Sequence, residues 1–105
     1  MAIPEFLAAR LDDAAKTARF VQAEIGDGVG VTVYGQNVYD PAHVLAEVAA
    51  KRALLAQLQH KRDSFQRYPN QGNANGMFEL ERVAQMLAQP YADHPDFDPA
   101  WAVQQ

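Results

Sequence analysis

The sequence contains no cysteine, which excludes disulfides, iron–sulfur clusters and thiolate zinc sites. Its single serine, Ser64, falls in the middle of a helical pattern, away from the strand–turn–helix setting that exposes a serine nucleophile. The three histidines, His43, His60 and His94, are scattered. Material for nucleophilic or metal-assisted catalysis is therefore thin. The glycine-bearing stretch GDGVG at 26–30 lacks the lysine of a phosphate loop and leads into a strand pattern, not a helix. Nothing approaches the roughly 18 to 20 consecutive apolar residues that span a bilayer. The opening MAIPEFLAARLDDAA has no basic leading segment and soon reaches Glu5, Arg10, Asp12 and Asp13, so no secretory leader is expected. Positive charge is also short: nine lysines and arginines face thirteen aspartates and glutamates, for a net charge of -4 and a pI near 5.2. That balance argues against nucleic acid, whose binding is driven by cationic contact with phosphate. Together these features fit a cytoplasmic protein that needs no membrane and no cofactor.

What is present fits one small domain. A chain of 105 residues, 49% hydrophobic and 21% charged, can bury about two thirds of the surface it exposes when unfolded. Pro4 and Glu5 suit a helix start, and Leu7, Leu11, Ala14, Ala15, Ala18, Val21 and Ile25 recur at helical spacing, which predicts a first helix over 4–25. Asp12 and Asp13 precede Lys16 at ion-pair spacing, and Gly26 with Gly28 would end the helix. The period then changes. Val29, Val31 and Val33 alternate with small or polar residues, Gly35-Gln36 offers a turn, and Asn37-Val38-Tyr39 returns, which predicts a short hairpin over 29–39.

Asp40-Pro41 signals a second helix, with the aspartate as cap and proline in the first turn. Val44, Val48, Leu55, Leu58 and Phe65 share one face, Glu47 and Lys51 form an i,i+4 pair, and no breaker appears before Pro69, so the helix should run over 41–67. Such a helix would extend about 40 Å at about 1.5 Å per residue, whereas a chain of this length folds to a globule only about 33 Å across. A kink near 53–57, projection of the far end, or pairing with a second copy would resolve the mismatch. Projection or a homodimer through this helix is the favoured expectation. YPNQGNANG at 68–76 reads as a loop, and a third helix follows over 77–89, with Leu80, Val83, Ala84 and Leu87 inward and Glu79 and Glu81 near its N-terminus. Prolines at 90, 95 and 99 then predict an ordered, non-helical tail. The fold class expected is α+β: three helices with one small hairpin.

Two stretches carry a resemblance, DPAHVLAEVAAKRALL at 40–55 and LAQPYADHPDFDPAW at 87–101. They resemble an uncharacterised family of small actinobacterial and actinobacteriophage proteins, in which a D-P-A-x-V-L-x-E-V-x-A-K-R segment precedes a closing P-Y-A-D-H-P-D-[YF] segment. The resemblance implies a bacterial or phage setting and brings no catalytic residues. Relatives often have cysteines before the last helix where this chain has RYPNQGNANG.

Two constellations offer chemistry. Asp93, His94 and Asp96, with Asp98, could ligate a divalent cation. Pro95 and Pro99 stiffen the path, however, and the central glycine and closing glutamate of an EF-hand are missing, so local capping and turn formation compete with that role. His94-Pro95-Asp96 also matches the tripeptide of J-domain co-chaperones, but only nine residues follow it, too few for the helix that motif requires. Lys51, Arg52, Arg62 and Arg67 make the second helix the basic part of the chain, a solvated face or one that meets an acidic partner. Tyr91, Phe97 and Trp101 either fold back over the helices or present a recognition patch. The expected function is that of a non-enzymatic accessory protein that binds a host or phage protein partner through these basic and aromatic residues. The alternative is a small metal-dependent hydrolase or metal-binding module centred on Asp93, His94 and Asp96.

Overall fold

In a computed structural model the chain is described at residues 2–25, 31–33 and 36–103, with side chains described at 2–24 and 40–103. Three α-helices dominate: α1 (Ile3–Ile25), α2 (Pro41–Arg67) and α3 (Gln71–Ala88), of 23, 27 and 18 residues. The expected α+β class is therefore corrected to a mostly helical one. Among the described residues between α1 and α2, β1 (Val31–Val33) and β2 (Gln36–Tyr39) are extended. They pair with each other over three positions, in a register that shifts between Val31 and Thr32. So short a ladder gives no sheet on which helices could be layered. The expected glycine stop at 26–30 and the turn at 34–35 lie outside the described residues.

The chain divides into two compact units, Met1–Ala8 with Ala53–Gln105, and Ala9–Arg52. In the Ala9–Arg52 unit the buried residues include Leu11, Ala15, Ala18, Pro41 and Val48, spaced on α1 by three and four residues as one helical face requires. The Asp40 carboxylate accepts from the backbone N–H groups of Ala42 and His43, at 3.1 and 3.3 Å, which caps α2 as its sequence indicates. Arg52 Nη2 donates to Asp12 Oδ1 at 2.7 Å, and Arg10 pairs with Asp13 at 3.2 Å. The aspartates thus pair with arginines and not with Lys16, Asp12 with one from α2 and Asp13 with one a turn earlier in α1. Glu47 lies 2.8 Å from His43 Nε2 and 4.0 Å from Lys51.

The core of the other unit includes Phe6, Leu7, Leu58, Ala84, Ala88 and Phe97. α2 runs unbroken from Pro41 to Arg67, over the range its sequence indicates. α3 starts six residues before its expected position. Asn70 is its cap and accepts from the Asn73 backbone N–H at 2.9 Å. Asn73 in turn donates its side-chain N–H to the carbonyls of Tyr68, at 2.8 Å, and Ser64, at 3.3 Å, where α2 runs out of internal partners. The asparagines that looked like loop formers are end caps for two helices. The tail is ordered but not free of helix: 3₁₀ turns occupy Gln89–Tyr91 and Pro99–Trp101, a geometry that accepts proline in its first positions.

Candidate functional site

After α3 the chain folds through successive tight turns. Backbone N–H groups of Ala92, His94 and Phe97 donate to the carbonyls three residues earlier, at 2.9 to 3.1 Å, and Trp101 N–H donates to Asp98 O at 2.9 Å. The Asp98 carboxylate accepts from Ala100 N–H at 2.9 Å and caps the last turn. This path brings four rings of the tail onto Phe6, which is fully buried. Centroid distances from Phe6 are 6.1 Å to Tyr91, 5.6 Å to His94, 6.0 Å to Phe97 and 5.2 Å to Trp101, all steeply inclined, and Phe97 meets Trp101 edge-on at 5.5 Å. Edge-to-face contacts of this kind add about 0.5 to 1.5 kcal/mol each beyond burial. The Trp101 carbonyl accepts from both Gln85 and Gln89, at 2.9 and 2.8 Å.

The tail thereby carries Trp101 to the wall of a cavity of about 260 Å³. Ala2, Ile3, Pro4, Leu58 and Ala84 supply most of the remaining wall, and Arg62 with Glu81 is its charged part. Arg62 donates through Nε and Nη2, at 3.2 and 3.1 Å, and both bonds end on the same oxygen, Glu81 Oε1. The two side chains are 32% and 36% exposed, so the pair contributes no more than about 1 kcal/mol to stability. Glu81 was expected near the start of α3; with the helix beginning at Gln71 it sits mid-helix, within reach of α2.

The other residues singled out in the sequence separate into distinct environments. Arg67 lines a smaller cleft of about 190 Å³ with His60, Asp63, Ser64 and Tyr68. Lys51 and Arg52 belong to the Ala9–Arg52 unit and face the carboxylates of Glu47 and Asp12. Phe97 is buried, Tyr91 and Trp101 are half-buried, and Asp93 and Asp96 are exposed. His94 Nδ1 accepts from Asp96 N–H at 3.0 Å, which ties the imidazole to the turn. Among the described residues no three histidines or acids come together to hold a metal ion. Sequence reasoning missed Phe6, Glu81, Gln85 and Gln89. No local spacing marks Phe6, and the other three required the path of the tail and the pairing of α2 with α3. On its outer face α3 presents Phe78 and Met86, 55% and 54% exposed. Among the described residues no helix is long and apolar enough to cross a membrane.

These features define a small, mostly helical protein whose aromatic tail closes over a helical core and borders an apolar cavity. The chain matches the model of a family of unknown function, DUF6221, over residues 1–103, and it belongs to that family. The match carries no statement of source, so the actinobacterial or phage setting and the cytoplasmic location drawn from the sequence gain no support from it. No curated protein and no solved structure matches the chain.

Proposed function

We propose that this protein acts by binding a protein partner and not by catalysis, and that its binding site is the cavity bordered by Arg62 and Trp101. The observation that carries the reading is the cavity itself: about 260 Å³, apolar over most of its wall, with one tryptophan and one arginine–glutamate pair. Interfaces concentrate their energy where an apolar anchor enters such a pocket, and tryptophan and arginine are the residues most enriched there. Two residues that the sequence marked for partner binding, Arg62 and Trp101, meet at this place. Arg67, Lys51 and Arg52 play no part in the proposed site, and Tyr91 and Phe97 support it by holding the tail on Phe6.

Selection of random peptides on the immobilised protein tests the proposal. Enriched peptides should share an apolar residue and should lose binding to Ile3→Phe, which narrows the cavity, and to Arg62→Met, while both variants keep the parent melting temperature within a few degrees. Failure to enrich any sequence, or enrichment indifferent to both substitutions, contradicts it.

A further inference from the structure

We infer that the cavity recognises one apolar side chain of a peptide segment together with the neutral backbone amide beside it. The inference rests on the reading of the cavity as the binding site and adds the chemistry it selects. Arg62 and Glu81 neutralise each other, but unevenly. Both guanidinium donors end on Glu81 Oε1, so Glu81 Oε2 and Arg62 Nη1 have no hydrogen-bond partner among the described residues. An anion drawn to Arg62 would meet the Glu81 carboxylate, and a cation drawn to Glu81 would meet the guanidinium. One neutral residue in extended conformation satisfies both at once, because its own N–H and its own carbonyl point to the same side: the N–H donates to Glu81 Oε2 and the carbonyl accepts from Arg62 Nη1, each bond strengthened by the charge on the protein side. Size points the same way. A cavity of about 260 Å³ falls below the range of roughly 300 to 1,000 Å³ typical of sites for drug-sized molecules, and its wall of Ile3, Pro4, Leu58, Ala84 and Trp101 suits a single leucine-like group. Every interior leucine-like residue of a peptide offers that pairing of apolar side chain with neutral N–H and carbonyl.

Trp101 is the only tryptophan and lines the cavity, so its emission reports occupancy directly. Three probes differing in charge are titrated at neutral pH: N-acetyl-L-leucinamide, the anion N-acetyl-L-leucine and the cation L-leucinamide. The neutral amide should give a saturable change with roughly millimolar half-saturation, and the two charged probes should bind at least about tenfold more weakly. Glu81→Gln leaves Arg62 without its counter-charge and should invert the order in favour of the anion, with the fold intact by circular dichroism. Arg62→Met should abolish the preference for the amide. Equal binding of all three probes, or a parent that prefers the anion, overturns the inference while leaving the cavity as a binding site. Absence of any saturable response overturns both. An unchanged order in Glu81→Gln overturns the inference alone.

Discussion

The rings of Phe6 and Trp101 lie 5.2 Å apart at an interplanar angle of 60°, joining the first turns of α1 to the last turn of the tail. Phe6 also touches Tyr91, His94 and Phe97, so one buried ring anchors the whole aromatic segment. Phe6→Ala should cost about 3 to 5 kcal/mol, a large part of the roughly 5 to 15 kcal/mol that stabilises an ordinary domain. Urea denaturation followed by Trp101 emission reads this, and the emission should already be red-shifted before the main transition. A loss below about 1 kcal/mol would show that the tail is held by something else.

The Gln89 side chain makes three hydrogen bonds. Its side-chain N–H donates to Gln85 O and Trp101 O, and its carbonyl oxygen accepts from Val103 N–H. Each is worth about 0.5 to 1.5 kcal/mol net, and the side chain is half-buried. Gln89→Ala should therefore cost about 1 to 3 kcal/mol, with faster amide exchange at Val103. Gln85→Ala, which removes one bond to the same carbonyl, should cost less.

At the start of α3, Asn70→Ala removes the cap and should destabilise by about 1 kcal/mol in thermal melts. Gly76→Ala should act in the opposite sense. A Cβ there would lie 3.4 Å from Lys61 Cε, the far part of a flexible side chain, so the helix has room for it. Replacing a mid-helix glycine by alanine then stabilises by about 0.5 to 1 kcal/mol. A destabilised Gly76→Ala would show that Lys61 is held against that glycine more firmly than the contact indicates.

His94 is tied to the turn at Nδ1 by Asp96 N–H and set against Phe6 by its ring, while Asp93 and Asp96 are exposed. Zn²⁺ or Mg²⁺ should leave both Trp101 emission and the melting temperature unchanged, because no group of three ligands is assembled among the described residues. A metal-dependent rise in melting temperature would favour the metal-binding alternative.

The parts legible in the sequence were those written in local chemistry. Asp40-Pro41 fixed the start of α2, and the spacing of Leu7, Leu11, Ala15 and Ala18 marked the buried face of α1. Where one residue serves two elements, local reading failed. Asn70 and Asn73 look like loop residues until it is seen that they cap the start of α3 and the end of α2. The valine alternation at 29–33 reads as the β part of an α+β fold, whereas the described chain is mostly helical. Of the candidate site, Arg62 and Trp101 were visible as residue types that favour interfaces. Their meeting was not, because it depends on Gln85 and Gln89 holding the tail and on Glu81 reaching Arg62 from a different helix. Phe6 stands next to Leu7, off the stripe that helical spacing picks out, so nothing local distinguishes it as the hub.

The most direct measurement of the central claim is a two-dimensional ¹⁵N–¹H NMR titration of the labelled protein with N-acetyl-L-leucinamide. Binding in the cavity predicts shifts concentrated on the Trp101 indole N–H, the Arg62 Nε–H and the backbone amides of Ile3, Leu58 and Ala84. Shifts centred instead on Phe78 and Met86, or on the cleft at His60, Arg67 and Tyr68, would contradict it.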